Sequence, residues 1–481
     1  MGVLTGVEPE RVFYYFEEIS GIPRGSGNTK QISDYCAAFA RSHGLEVLQD
    51  AAGNVVIRKG ASPGKEGSAP VMLQGHLDMV TAKTPDCDID MQTEGLRLKV
   101  GDGILSAEGT TLGGDDGIAV AYMLALLDAQ DLAHPPLECV FTVDEEIGML
   151  GAYALDMSAL QAKRLINLDS EDEGILTVSC AGGVSVSSHL QVVMKPARNK
   201  GVKVRVHGCL GGHSGMGISV GRANAIRELG RFLFSLKKIT PFRIVTVSGG
   251  AQDNAIPVSA EAVITFPDAE SVEKVYAQAE YATGVLRSEY ALIDPDIAVS
   301  CEIVDTDGEA FGTHTTNRVV TALRCMPNGV VKMSAQVDGL VETSLSLGIV
   351  ETAFGEVTMR FCVRSSVESE KLEVVERIRC LTEFLGGYVS CEGDYPGMPY
   401  LDASPLRDTM VSVYEKLYGH APVTEAIHAG LECGLFAGGI EGLDYVSIGP
   451  DMRDVHTTSE TLDVESVRRT WEYLTAVLAE L

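Results

Sequence analysis

The stretch 71-VMLQGHLDMV-80 is an apolar run that carries a histidine and an aspartate where a buried strand gives way to loop. Residues two apart on a strand share a face, so His76 and Asp78 are expected side by side at the strand end. Taken alone, such a pair reads as a hydrogen-bonded polar pair; its other reading is a metal ligand with the carboxylate that orients it. The surrounding chain has to choose between the two.

Working outward, helix and strand signals alternate. Ile32, Tyr35, Cys36 and Phe39 follow helical spacing, Gly44 offers a stop, and "NVVIRK" reads as a strand. Downstream, "IAVAYMLALLDA" is apolar all round and predicts a buried helix, followed by the strands "LECVFTV" and "RLINLD". Near-continuous apolar strands imply an α/β sheet covered on both faces, here a central mixed sheet flanked by helices. From about residue 183 the texture changes to two-faced strands such as "VKVRVHG" and "EVTMRFCVRSS", interleaved with amphipathic helices such as that of Ile226, Leu229, Leu233 and Leu236. The turn-rich "DYPGMPYLDASP" marks a crossing back, after which "DYVSIGP" restores the first style. The expected organisation is an α/β domain of residues 1–182 and 398–481, split by an inserted α+β domain of residues 183–397.

Composition narrows the function classes. The 481 residues, 45% of them hydrophobic, suffice for at least two cores. A formal net charge of -29 argues against nucleic acid and anionic membranes as partners. The N-terminus reaches Glu8, Glu10 and Arg11 before any apolar run, unlike a signal peptide, and no stretch approaches a membrane span. The odd number of cysteines, eleven without a C-x-x-C, fits reduced thiols and a cytoplasmic protein.

Further acidic and histidine positions are expected where His76 is, at or just after the ends of apolar strands, which is where open α/β sheets build sites. Asp115 and Asp116 sit in "LGGDDG", Glu145 and Glu146 end "CVFTVDEE", Asp169 ends "RLINLDS", and His456 follows "YVSIGPDMRDVH". Imidazole nitrogen and carboxylate oxygen without sulfur suit zinc, cobalt or manganese, and a carboxylate bridging two such ions is the usual co-catalytic hydrolase arrangement. Neighbouring glutamates on an extended backbone point opposite ways, so one of Glu145 and Glu146 can ligate while the other stays free. A free carboxylate beside an activated water accepts its proton and delivers it to a leaving amine, which is amide or peptide hydrolysis.

The motifs "GHLDMV", "GTTLGGDDG", "TVDEEIGMLGA", "NLDSEDEG", "CAGG", "GGHSG", "NAIP", "PNGV", "VETSLSLG", "YPG", "HAGLECGLF" and "VSIGP" occur in this order, and from about residue 10 to the C-terminus the chain resembles the aminoacyl-histidine dipeptidases. These are cytosolic zinc dipeptidases of the aminoacylase and carboxypeptidase-G type. The resemblance implies two Zn²⁺ per chain, replaceable by Co²⁺ or Mn²⁺. It makes His76 and Asp169 ligands of one ion, Glu146 and His456 ligands of the other, and Asp115 the bridge. It assigns Asp78 to orient His76 through the other ring nitrogen, and Glu145 to be general base. The implied reaction is hydrolysis of small dipeptides, Xaa-His and β-alanyl-histidine among them, by a hydroxide bridging the two ions. Two positions depart from the family pattern: Thr457-Thr458 follow His456 in place of Ser-Pro, and Asp116 stands where Asn is common. Neither removes a ligand.

On the substrate side, Met216 breaks the G-x-S-x-G pattern around Ser214, which disfavours a serine nucleophile. The resemblance gives His213 the task of stabilising the oxyanion, and Asn254 and Arg364 the gripping of substrate. Arg364 has the donor geometry for a terminal carboxylate, although Arg360 shares its face by spacing. Glu432, in the glycine-lined "HAGLECG", is a further candidate substrate contact. The inserted domain is large enough to be either a homodimer interface or a lid that folds back on its own chain. An N-acyl amino-acid deacylase, a carboxypeptidase, and a non-catalytic metal- or peptide-binding relative stay open as alternatives.

Overall fold

The computed structural model describes residues 2–198 and 200–481. Its contacts divide the chain into two compact units, Met1–Cys180 with Met398–Ala426 and Leu431–Leu481, and Ala181–Gly397 with Ile427–Gly430. Each has its own buried apolar core.

The first unit is built on a mixed sheet whose central strands run in the order Leu137–Thr142, Val71–His76, Arg164–Asn167 and Asp444–Ser447, all parallel. Antiparallel strands extend it, Val55–Lys59 and Glu46–Gln49 on one side and Ile175–Cys180 on the other. Val71–His76 and Leu137–Thr142 are buried along their whole length, as strands with both faces covered must be. The helix Gly114–Asp128, apolar all round, lies in the core beside them, its residues Gly117–Leu127 all buried. Because the central strands are parallel, their C-terminal ends meet at one edge, and the loops leaving that edge are where such sheets place ligands.

The second unit is an antiparallel sheet with strands in the order Ala298–Asp305, Lys200–His207, Ala260–Thr265, Arg243–Gly249, Val341–Ala353, Glu356–Ser365, Gly182–Gln191 and Tyr388–Tyr395. Lys200–His207 alternates buried with half-exposed residues, the mark of a sheet with one wet face. The amphipathic helix Ala225–Leu236 buries Ile226, Leu229, Leu233 and Leu236; Asn224 caps it by accepting hydrogen bonds from the N–H groups of Ile226 and Arg227. All eleven cysteines are free thiols. Among the described residues no helix is long and apolar enough to cross a membrane.

Candidate metal centre and the polar cluster of the second unit

His76 ends its strand, Glu145 and Glu146 lie in the loop after Leu137–Thr142, Asp169 lies just after Arg164–Asn167, and His456 follows Asp444–Ser447 by one further short strand, Met452–Arg453. Asp115 and Asp116 arrive differently from the strand-end expectation. They open the helix Gly114–Asp128, which follows the hairpin strand Ile104–Ala107 of a separate small sheet. Asp78 is likewise not on the strand. The strand stops at His76, and a bend brings the Asp78 carboxylate back to the imidazole.

These groups converge. His76 Nε2 stands 3.0 Å from Asp115 Oδ1 and 3.7 Å from Asp169 Oδ1. His456 Nε2 stands 3.0 Å from Asp115 Oδ2 and 3.0 Å from Glu146 Oε1. Asp115 thus presents its two oxygens to different histidines. Asp116 turns inward, where its Oδ2 accepts the backbone N–H of His76 at 3.1 Å. Ligating atoms of His76, Asp115 and Glu146, and of His76, Asp116 and Asp169, each lie within 4.8 Å of one another. Two ligands bound to one zinc at about 2.0–2.1 Å with tetrahedral angles stand about 3.3 Å apart, so spacings of 3.0–3.7 Å fit a metal-binding set. The buried oxygens Asp116 Oδ1 and Glu146 Oε1 have no hydrogen-bond donor, the latter because it lies off the line of the His456 N–H. Buried acceptors without donors are what a cation satisfies.

The electrostatics agree. Burial pushes the Asp169 and Asp116 carboxylic acids well above the ordinary range, with the Asp116 charge adding to the rise at Asp169 and the Asp115 charge to that at Asp116. Burial also raises Glu145 to about 8. The hydrogen bond to Asp115 and the adjacent Glu146 carboxylate lift His456 to about 10, and at His76 the hydrogen bonds to Asp115 and Asp78 outweigh a burial that alone would lower it. A site that raises acids and imidazoliums together is short of positive charge.

Asp78 ties the ligand loops. His76 Nδ1 stands 3.1 Å from the Asp78 carbonyl oxygen and 3.4 Å from its Oδ1. The same carboxylate accepts the backbone N–H of Glu145 (2.9 Å), that of Glu146 (3.3 Å) and the Ser26 hydroxyl (2.8 Å). The two glutamates therefore sit in a turn after Asp144, a residue at φ 55°, rather than on the extended backbone expected of them. Their different surroundings come from this anchored turn and not from strand alternation.

Glu432, expected to touch substrate, is fully buried; its Oε2 accepts from Gln74 Nε2 and Thr142 Oγ1, both at 2.6 Å. Asn167 continues that network to Gln74 and Ser447. In the second unit, Arg364 is only 6% exposed and donates to the Tyr395 hydroxyl (3.1 Å), whereas Arg360 is half-exposed. The structure thus separates two arginines that spacing could not. The exposed His213 sits in its glycine-rich turn, where Nδ1 accepts the backbone N–H groups of Met216 (3.0 Å) and Gly215 (3.3 Å). In the neutral ring the proton is therefore on Nε2, which lies 3.5 Å from Arg364. Asn254 is exposed, and its carbonyl accepts the N–H of Ser214 at 2.8 Å. Sequence reasoning missed His428, buried with Nε2 2.7 Å from Ser344 Oγ, and two buried ions near the Asp115 turn, Arg24 and Glu460. Only "HAGLECG" hinted at the first, and no local pattern marks the others.

Candidate histidine and carboxylate ligands gathered at the C-terminal edge of a parallel sheet, with no thiolate among them, point to the class, an α/β metallohydrolase. Residues 72–480 match Peptidase family M20/M25/M40, and the chain belongs to that family. It is 36% identical over 483 residues to the cytosol non-specific dipeptidase of Escherichia coli (strain K12), covering 100% of this chain and 99% of that protein. Its structure is similar to that of the aminoacylhistidine dipeptidase from Vibrio alginolyticus, with a TM-score of 0.92 and 34% identity over 99% of this chain and 98% of that one. Human carnosine dipeptidase 1 shares the fold, with a TM-score of 0.52 at 15% identity over 98% and 99% of the two chains.

Proposed function

We propose that this chain is a metal-dependent dipeptidase that cleaves Xaa-His dipeptides, β-alanyl-histidine among them. The carrying observation is the Asp115 carboxylate, whose two oxygens face two histidines that stand beside Asp169 and Glu146 respectively. On this reading His76 and Asp169 would hold one zinc ion, His456 and Glu146 would hold a second, and Asp115 would offer one oxygen to each. The full-length likeness to two dipeptidases supports the substrate class.

Bound metal supplies Lewis acidity and lowers the pKa of water. The chain's own residues do the rest. Glu145, which the Asp78-anchored turn sets beside Glu146, accepts a proton from water and returns it to the leaving amine. Asp78 fixes the His76 ring through Nδ1. To the inserted unit the same proposal gives the gripping of substrate: a His213 Nε2–H to donate to the developing oxyanion, and Arg364 with Asn254 to bind the substrate's polar ends. Free thiols and the cytosolic relative support a cytoplasmic location.

The test is an activity panel with added Zn²⁺ or Co²⁺ on dipeptides that differ only in the C-terminal residue, with tripeptides and N-acyl amino acids as comparators. Cleavage of dipeptides, fastest with C-terminal histidine, is expected. Failure to cleave any dipeptide with either metal overturns the reading, and preference for acyl amino acids makes the chain a deacylase.

A further inference from the structure

Two buried ions outside the ligand set grip opposite sides of the turn that carries Asp115. Arg24 is 2% exposed; its Nη1 donates to the carbonyls of Leu77 and Asp78, both at 3.0 Å, and its Nη2 to the carbonyl of Gly113 at 2.5 Å. Glu460 is 3% exposed; Oε2 accepts the N–H groups of Leu112 (2.8 Å) and Gly113 (3.0 Å), and Oε1 those of Gly114 (2.8 Å) and Asp115 (3.4 Å). The Glu460 N–H in turn donates to the carbonyl of Thr457, the last residue of the Asp454–Thr457 turn that contains His456. Arg24 therefore joins the His76–Asp78 loop to the Asp115 turn, and Glu460 joins the His456 turn to it. The surrounding backbone makes room for this. A Cβ at Gly113 or at Gly117 would come within 2.5 Å of Arg24 Nη2.

Burying an arginine and a glutamate is costly, and apolar side chains would fill the space more cheaply were filling the only requirement. Their hydrogen bonds instead go to the backbone of three ligand-bearing loops that come from distant parts of the sequence. We propose that Arg24 and Glu460 are positioning residues that hold Asp115 in register with His76 and His456, so that its two oxygens face the two halves of the metal centre. The inference deepens the dipeptidase reading and rests on it for its kinetic arm alone.

The test uses the full-length protein loaded with Co²⁺, comparing wild type with Glu460→Gln, Arg24→Met and Arg24→Lys, and with Tyr122→Phe as a control. Tyr122 ties the same helix to Val467 far from the ligands. Glu460→Gln is expected to weaken Co²⁺ binding about 10- to 100-fold by chelator competition, alter the visible Co²⁺ absorption band, and lower kcat with KM nearly unchanged. Arg24→Lys should lose less than Arg24→Met, and Tyr122→Phe should lower the unfolding temperature without touching the band. Wild-type Co²⁺ affinity, spectrum and kcat in Glu460→Gln would overturn the proposal, and that variant decides the matter if Arg24→Met does not fold. A wild type that binds Co²⁺ yet cleaves no dipeptide would sink the functional reading while leaving the affinity and spectral arms decisive here.

Discussion

The histidines of the two polar clusters, one in each unit, behave oppositely. In the first, hydrogen bonds to carboxylates raise His76 and His456. In the second, burial and then the Arg364 charge take His428 to about 4, and partial desolvation of the ring and then the same charge push His213 down. One residue type thus serves a cation-collecting centre in one unit and a cationic cluster in the other. The neighbours set the charge state, and the neighbours come from distant segments of chain.

The contrast can be broken most forcefully at Glu145, the first unit's proposed base. Glu145→Gln should lower kcat by about 10²- to 10⁴-fold with metal content unchanged, read by steady-state kinetics and elemental analysis on the same sample. Loss of the metal along with the activity would make Glu145 a ligand instead. Next in size, Arg364→Met removes the charge that stands beside His213 and His428. Loss of charged hydrogen bonds worth about 1.5–3 kcal/mol should cut kcat/KM about 10- to 100-fold. Both histidines should then titrate at higher pH by NMR, and unchanged titration would show that Arg364 is not what depresses them.

The smallest effect is one of stability. The His428 pKa lies near 4 in the folded protein, below its ordinary value of 6.5. The unfolded chain therefore binds more protons than the folded one between those values. His428 stabilises the fold fully above pH 6.5, and that contribution is lost as pH falls towards 4. Over that window wild type should lose stability more steeply than His428→Gln in denaturant titrations, by up to one proton's worth of slope. Parallel slopes would remove His428 from the cationic cluster.

Much of this was readable in the sequence because it depends on local pattern. Apolar runs marked the parallel strands, and the abrupt placement of His76, Glu146, Asp169 and His456 after them marked the sheet edge. Asp115 was found among the ligand candidates although its segment follows a different, smaller sheet. The placement of Glu145 and Glu146 rested on a strand geometry that the chain does not adopt, since the Asp78 carboxylate holds their turn. Arg364 shared a polar strand face with Arg360 by spacing, yet it is buried, because a two-residue period gives the face of a strand and not what packs over it; Glu432, expected as a substrate contact from its glycine-lined loop, is buried as well.

The sequence by itself determined the layered α/β and α+β textures, the strand-end position of most candidate ligands, and a candidate ligand set free of sulfur. Tertiary structure alone decided that Asp115 turns one oxygen to each histidine while Asp116 turns inward, and that Arg24 and Glu460 stand behind that turn. Periodicity and ligand type are properties of short segments. The direction of a carboxylate and the burial of an ion depend on hydrogen bonds between groups more than three hundred residues apart, as between Glu460 and Leu112.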